Sequence, residues 1–366
     1  MRPFARPALL VAGLVVVLAA CDSGGPGDPP PTPGTEFERS AMLTQWADAA
    51  IVPAYDALLA ASLALQAEAD AFAAAPTEAS LVEVRAALRA ARLAWQDASL
   101  FGFGPAEDVA LRAALNTYPT DTGKVEANVA SGGYTLGTLG NQAAAGFPAM
   151  AYLLYDGTEA EVVAAFADAN RGAYLRDNAA FVADAVGTVA HGWDGYRGTF
   201  LGPANAGTDV GSALGMVVNG MVLHYERFLR DGSIGIPAGV RSAGVPRPTS
   251  VEAVHGGYSA ELAVANLRAL KRLFLGDALS GAAGTGLDDN LRAVDAGGLA
   301  DEIVAEFDQA IAALEALRDP LDDQIRTDNA PVLAAFQEMQ DVVVLLKADM
   351  ASVLGVSITF QDNDGD

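Results

Sequence analysis

The apolar residues near the C-terminal end of the chain recur with the period of an α-helix. Between residues 329 and 354 their spacings alternate between four and three, through Val332, Phe336, Met339, Val343, Leu346, Met350 and Val353. This pattern places them on one face of a helix and is typical of the seam of a helical bundle. Asn329 is a candidate N-cap and Gly355 a candidate stop, so the pattern predicts one helix between them.

Helical periodicity continues through most of the chain. Ala and Leu dominate the 51% of residues that are hydrophobic, which favours helices over strands. We predict long helices at 38–74, 77–101, 159–199, 208–230, 250–275, 298–318 and 329–354. We predict connections at the stretches rich in Gly and Pro, which are 102–105, 131–140, 201–207, 231–248 and 276–287.

Three local features refine these helices. Pro53 lies inside the first pattern, so we expect a kink or a break there. Thr158 and Glu161, like Thr249 and Glu252, have the spacing of a capping box, in which each side chain caps the backbone of the other. Both pairs therefore predict the start of a helix.

The predicted fold is all-α, with two packed up-and-down helical bundles and a cleft between them. The break at Leu201, Gly202 and Pro203 divides the helices into two comparable sets, so we predict bundles at 37–200 and 201–366. No strict repeat of 20 to 50 residues is visible in the sequence, which argues against a regular solenoid.

The first residues form a targeting segment. Arg2 and Arg6 precede an apolar stretch at 8–20 that is too short to span a bilayer. The stretch ends in Leu-Ala-Ala-Cys, which resembles a bacterial lipobox and predicts that Cys21 is lipidated. The alternative is an ordinary secretory signal followed by an unrelated Cys.

A lipidated Cys21 divides the N-terminal part of the chain into three functional pieces. We predict that residues 1–20 are a lipoprotein signal peptide, and that residues 21–36 are the lipidated Cys and a disordered tether rich in Gly and Pro. We expect a membrane attachment through the lipid anchor, and a location in the cell envelope at the outer membrane, facing the periplasm or the cell surface.

The charge of the chain excludes whole classes of function. Lys and Arg number 22 against 46 Asp and Glu, for a formal net charge of −24. Such an acidic protein repels phosphate backbones, so we expect no nucleic-acid partner. The single Cys excludes a disulfide framework and a thiolate zinc site. Whether the acidic surface only maintains solubility or also gathers cations stays open.

Five segments together carry a resemblance to a known family. They are Trp46 with 51–55, Ala94 and Trp95 with 103–105, then 116–121, 146–155 and 354–366. In this order they resemble the imelysin family of bacterial envelope proteins. The resemblance implies two helical bundles with a cleft between them. It also implies an envelope role, which in many members is linked to iron or haem acquisition. Some members have been described as metallopeptidases.

The chain departs from the GxHxxE signature of that family. Gly146 is kept, but Pro148 occupies the His position and Ala151 the Glu position. Pro and Ala can neither bind a transition metal nor transfer a proton. We therefore expect no peptidase activity, no cofactor and no tightly bound transition metal, and we interpret the chain as a non-catalytic binding module connected with an iron or haem uptake component of the envelope.

The segments that resemble the family supply four candidate ligand-binding residues: Trp95, Tyr118, Asp121 and Phe147. Each has a structural alternative. Trp95 and Phe147 could simply belong to the core, Tyr118 could fix the turn before the following Pro, and Asp121 could cap a short helix.

One partial metal-ligand set remains elsewhere. Asp184, His191 and Asp194 can share one helix face, although a solvated acidic face explains the same spacing. His224 lies between apolar neighbours at helical spacing, so it is better explained as a structural His. The alternative functions are accordingly a metal-dependent peptidase with a relocated site, or a purely structural envelope protein.

The lipobox makes a direct prediction about attachment. Replacing Cys21→Ser is expected to release the protein from membranes, because acyl chains supply the attachment and the tether has no apolar surface to replace them. Membrane fractionation and intact-mass measurement check this. An unmodified Cys21 in the parent protein, or a mature chain that starts elsewhere, would contradict it.

Overall fold

A computed structural model describes residues 37 to 360, and within this range the chain forms helices and turns and no strand. The all-α prediction is therefore confirmed for the described part. The predicted signal peptide, Cys21 and most of the tether lie outside the described residues, as does the acidic tail after Phe360.

The helices of the first part of the chain are α1 (Arg39–Gln45), α2 (Val52–Ala74), α3 (Glu78–Ala98), α4 (Pro105–Asp108), α5 (Leu111–Leu115), α6 (Thr122–Ser131), α7 (Gly146–Tyr155), α8 (Glu159–Ala165) and α9 (Ala169–Phe200). The π-helical segment Trp46–Ile51 joins α1 to α2, so the break expected at Pro53 takes the form of a wider helical turn directly before it. A 3-10 helix, Leu139–Ala144, precedes α7.

The later helices are α10 (Ala213–Leu223), α11 (Ile236–Ala238), α12 (Ser259–Leu275), α13 (Leu287–Ala293), α14 (Gly297–Glu315), α15 (Leu321–Thr327), α16 (Ala330–Val344) and α17 (Ala351–Leu354). A π-helix, His224–Gly235, joins α10 to α11, and a second one, Leu345–Met350, joins α16 to α17. Two 3-10 helices, Pro203–Ala206 and Pro248–Ser250, lie in the connections.

Several predicted boundaries are correct. Helix α3 matches 77–101, α14 matches 298–318, and the run from α16 to α17 matches 329–354 and ends at Gly355 with a φ of 69°. Thr158 and Glu161 form the predicted capping box at the start of α8. Asn329 stands at the predicted cap position, but its side chain donates to the Ala238 carbonyl instead of capping α16.

Other boundaries were wrong for local physical reasons. The predicted helix 159–199 is two helices, because the Asp168 side chain accepts a hydrogen bond from the Asn170 amide and caps a new start. The helix predicted at 208–230 begins only after Ser212, which caps α10, and then continues to Ala238 through part of the predicted connection. The helix predicted at 250–275 begins at Ser259.

The helices pack as two neighbouring sets. In the first set α2 lies against α3 and α9, and α7 packs on α3 and α9. In the second set α14 packs on α12 and α16, and the π-helix His224–Gly235 packs on α16. Helix α3 contacts α12, so the sets meet directly, and the chain from Phe37 onward forms one compact unit. The predicted division into bundles at 37–200 and 201–366 stays a prediction.

The continuous helical stretch Arg39–Ala74 is long and apolar enough, by length and composition alone, to cross a membrane. It buries Leu58, Leu65 and Phe72 and packs against α3 and α9, as the core helix of a bundle does.

The seam in α16 makes a prediction with a matched control. Val343 is 5% exposed, whereas its neighbour Val344 is 51% exposed. Val343→Asp is expected to lower the free energy of unfolding by about 3 kcal/mol or more, because it buries an unpaired charge. Val344→Asp is expected to change it by about 0.5 kcal/mol or less. Urea titrations followed by circular dichroism check both, and equal stabilities of the two variants would contradict the packing of this seam.

Candidate functional site

The structure brings two of the four candidate ligand residues to the same region. Trp95 lies on α3 and is 2% exposed, and the guanidinium carbon of Arg112 is 5.3 Å from its ring centre. Tyr118 follows α5, is half-buried, and places its hydroxyl 3.4 Å from Ser233 Oγ. Burial raises the pKa of this hydroxyl, and the charge of Glu252 raises it further. Trp95 therefore lies beside Arg112, and Tyr118 lies against the π-helix His224–Gly235 through Ser233.

The other two candidates have structural roles. Phe147 is fully buried in the hydrophobic core on α7. Asp121 is exposed and caps α6, where its Oδ1 accepts a hydrogen bond of 2.9 Å from the Lys124 amide. Neither residue makes a hydrogen bond, ion pair or ring contact with Arg112 within the described part of the chain.

A group of polar side chains that the sequence analysis did not identify lies between α3, α5, the π-helix His224–Gly235 and α12. We call it the polar cluster, and it consists of Arg92, Gln96, Arg112, Asn116, His224, Glu252 and Asn266. All of them except the half-buried Arg112 are buried. A sequence signal existed on α3, where Arg92 continues the apolar stripe of Leu81, Val84 and Leu88 at the next helical position.

Glu252 is the acceptor at one end of the polar cluster. Its Oε1 accepts hydrogen bonds from Gln96 Nε2 at 3.0 Å and Asn116 Nδ2 at 2.9 Å. Arg92 Nη2 lies 3.9 Å from the same oxygen and donates to the Glu252 carbonyl at 2.6 Å. The capping box predicted for Thr249 and Glu252 is therefore wrong, because the carboxylate turns inward to the polar cluster.

His224 is held from both sides at the other end. Arg112 Nη2 donates to His224 Nδ1 at 2.8 Å and to the Ser99 carbonyl at 2.6 Å. Since a guanidinium cannot accept, Nδ1 is the acceptor and Nε2 carries the hydrogen that it donates to Asn266 Oδ1 at 2.9 Å. Burial first, and then the charge of Arg112, hold the pKa of His224 well below its usual value. The imidazole is therefore neutral at pH 7, and its predicted structural role is supported.

Asn266 connects the two ends of the polar cluster. Its Nδ2 donates to Gln96 Oε1 at 2.9 Å, and Gln96 in turn donates to Glu252. A continuous hydrogen-bonded chain thus runs from Arg112 through His224, Asn266 and Gln96 to Glu252. Such a network is stable in the interior only when nearly every member is paired.

Within the described residues, a few polar atoms of the polar cluster itself and the hydroxyl of the adjacent Tyr258 are buried without a hydrogen-bond partner. They are Nε and Nη1 of Arg92, Oδ1 of Asn116 and the hydroxyl of Tyr258. The Arg92 guanidinium carbon lies 5.6 Å from the Tyr258 ring centre, so two of these groups are close neighbours. Unpaired buried groups of this kind are suited to an ordered water or to polar groups of a ligand.

Helix α7, which contains the segment that corresponds to the family signature, packs against α5, the helix that carries Arg112. Gly146 has a φ of 75°, and a Cβ at this position would lie 2.4 Å from the Leu115 carbonyl oxygen at the end of α5. Glycine is therefore required for α7 to begin against the helix that carries Arg112. Pro148 and Ala151, at the signature positions for His and Glu, are both buried and supply no ligand or proton-transfer group.

The residues of the metal alternative lie on α9. Asp184, His191 and Asp194 are all exposed. Between residues 37 and 360, no group of three or more His, Cys, Asp or Glu side chains has a geometry that could hold a metal ion. The described part of the chain therefore offers no support for a relocated metal site.

The fold and the sequence together define the class of this protein. Residues 51–348 match the model of the imelysin family, also described as peptidase family M75. The match covers most of the chain, so the chain belongs to the imelysin family.

Similar proteins include two of known structure. An imelysin-like protein from Psychrobacter arcticum superposes with a TM-score of 0.69 at 19% identity, over 89% of this chain and 99% of that chain. A protein from Parabacteroides distasonis described as an iron-regulated protein A precursor superposes with a TM-score of 0.68 at 18% identity, over 88% and 96% of the two chains. At these identities the likeness shows the fold alone.

A third relative is similar in sequence. Iron-regulated protein A of Synechococcus elongatus is 35% identical over 74 residues, which are 20% of this chain. The match spans only 21% of the length of that relative.

The paired state of His224 predicts a pH-dependent stability. The unfolded chain protonates this imidazole below about pH 6.5, and the folded chain does not, so the stability contributed by the neutral form is complete above that pH and is lost as the pH falls. The advantage of the parent over His224→Gln in free energy of unfolding is expected to be about 1.4 kcal/mol smaller at pH 5.5 than at pH 7.5.

Urea titrations at the two pH values check this expectation. His191→Gln is the control, because it replaces an exposed imidazole and is expected to follow the parent at both pH values. An advantage over His224→Gln that does not change with pH would contradict the assignment of a neutral, doubly bonded imidazole.

Proposed function

We propose that this protein is a lipid-anchored, non-catalytic binding protein of the cell envelope, with a role connected with iron or haem uptake. The observation that carries the proposal is the polar cluster at the contact between α3 and α12. Burying charged and amide groups lowers the free energy of unfolding compared with burying apolar side chains of similar size. Their presence in the core of this protein therefore indicates a functional site. We place the ligand there, at the cleft between the two predicted bundles.

The pairing within the polar cluster favours binding over catalysis. Both ring nitrogens of His224 already make hydrogen bonds, so neither is free to take a proton from a substrate or to ligate a metal. Glu252 Oε1 accepts two amide hydrogen bonds. Pro148 and Ala151 remove the remaining family candidates for acid-base or metal chemistry. These facts support a binding role.

The connection with iron comes from relatives. The protein from Parabacteroides distasonis and the one from Synechococcus elongatus are both described as iron-regulated. Their descriptions support an iron-linked ligand for this chain, and the resemblance to envelope proteins supports haem as a second form of iron. The partner would be an iron or haem uptake component of the envelope.

The anchoring part of the proposal rests on the sequence. A lipidated Cys21 and the Gly- and Pro-rich residues up to 36 would tether the helical body to the outer membrane, facing the periplasm or the cell surface. A binding protein that is held at a membrane by a flexible tether can pass its ligand to a membrane partner at high local concentration.

Titration of the purified protein with haem and with ferric citrate tests the binding role. We expect saturable binding of one of them, and about tenfold weaker binding by Tyr118→Ala, because Tyr118 lies against the π-helix that carries His224 and Phe228. Tyr134→Ala is the matched control. This tyrosine is also half-buried, but its hydroxyl donates to Asp177 Oδ2 at 2.7 Å, away from the polar cluster.

Elemental analysis and cleavage assays test the alternatives. Protein purified without chelators is expected to carry no stoichiometric metal and to leave unfolded substrates intact. One equivalent of iron or zinc that is lost when Asp184, His191 and Asp194 are replaced together would contradict the proposal and favour the metallopeptidase. Absence of both metal and ligand binding would favour a structural envelope protein.

A further inference from the structure

Arg112 is half-buried, and within the described residues no carboxylate lies within ion-pair distance of it. The chain has about two acidic residues for every basic one. The buried or half-buried arginines that do make ion pairs with Asp or Glu include Arg85, Arg92, Arg171, Arg230 and Arg272. Within the described residues no such pair is formed by Arg112, although its surroundings are crowded with other polar groups.

The guanidinium of Arg112 is nevertheless fixed in place. Nη2 donates to the Ser99 carbonyl and to His224 Nδ1, and the guanidinium carbon lies 3.9 Å from the ring centre of Phe228. These contacts hold one end of the group and one of its faces. Its donors are therefore pre-organised before any ligand arrives.

The remaining donors of this guanidinium are available. Nε and Nη1 have no hydrogen-bond partner within the part of the chain that the structure describes, and they are not among the atoms sealed from solvent. Arg112 as a whole is half-buried, as is Phe228, which its guanidinium contacts. Tyr118 is also half-buried, and its hydroxyl lies 3.4 Å from Ser233 Oγ on the π-helix that carries Phe228. Donors on a fixed cation at the edge of the interior can make charge-assisted hydrogen bonds to an incoming anion.

The local charge balance favours an anion from outside the chain. Burial lowers the pKa of Arg112 to about 10, so the group still carries its positive charge at pH 7. His224 beside it is neutral. Glu252 accepts from Gln96 and Asn116, and the cation nearest to its carboxylate is Arg92 at 3.9 Å. Glu252 acts on Arg112 at longer range, but between residues 37 and 360 no carboxylate forms an ion pair with Arg112.

We infer that Arg112 binds the carboxylate of an organic ligand whose planar apolar part packs against Tyr118 and Phe228. The inference rests on the proposed function, since it names the chemical class of ligand for the same site. The two aromatic side chains favour a carboxylate on an apolar body over a free phosphate, because phosphate has no surface to stack on a ring.

Benzoate is the simplest probe with both features. We expect calorimetric titration to show saturable benzoate binding to the parent protein. We expect at least tenfold weaker binding of benzamide, which keeps the shape and loses the charge, and of inorganic phosphate, which keeps a charge and loses the ring. Arg112→Gln is expected to weaken benzoate binding at least tenfold, whereas the control Arg89→Gln, whose arginine has its own partner in Glu261, is expected to leave it unchanged.

A second measurement avoids dependence on the Arg112→Gln variant, which loses the donor to Ser99 and His224 and could fail to fold. Phenylglyoxal modifies accessible arginines, and peptide mapping by mass spectrometry reports each one. In the unaltered protein, benzoate is expected to slow the modification of Arg112 at least fivefold and to leave that of Arg89 unchanged.

Three outcomes would overturn the inference. They are no benzoate binding by the parent, benzoate binding that Arg112→Gln retains in full, or phosphate binding as tight as benzoate binding. Haem or ferric citrate binding with no effect of benzoate would leave the proposed function standing and remove this inference. Benzoate binding at Arg112 without binding of haem or ferric citrate would support the carboxylate site at Arg112 and contradict the proposed role in iron or haem uptake.

Discussion

The hydrogen-bonded chain from Arg112 through His224 and Asn266 to Gln96 and Glu252 is the constraint on which the rest of the structure depends. It joins α5, a π-helix, α12 and α3, which belong to both sets of helices. A shift of any of these elements would leave a buried polar group without its partner, at a cost of about 1–3 kcal/mol for each group. Apolar contacts tolerate small displacements, but this network permits one arrangement.

Much of the helical architecture could be predicted from the sequence, because it depends on local period. The seam between 329 and 354 is a single helical run as predicted, with Met339 and Leu346 fully buried. Glu252 shows where local patterns fail. Its spacing from Thr249 fits a capping box, but Gln96 and Asn116, distant in the sequence, bind its carboxylate. A spacing rule cannot detect a partner that only the fold brings near.

The residues of the candidate site were likewise predicted only in part from the sequence. Trp95 lies beside Arg112, and the Tyr118 hydroxyl lies beside Ser233 on the π-helix. Asp121 instead caps a helix, and Phe147 fills the core. The resemblance to the family identified segments that border the site, and the spacing of His224 indicated a structural His. Gln96, Arg112, Asn116 and Asn266 were missed because each one alone looks like an ordinary surface residue. Arg92 also has a sequence signal, because it continues the apolar stripe of α3 toward the core.

Amide hydrogen exchange in the presence and absence of haem or ferric citrate tests most directly whether the polar cluster is the binding site. We expect the ligand to slow exchange in α5 and in the π-helix His224–Gly235, which carry Arg112, His224 and Phe228. We expect no change around Asp184 to Asp194 on α9. Protection confined to that part of α9, with α5 and the π-helix unaffected, would show that the ligand binds elsewhere than at the polar cluster.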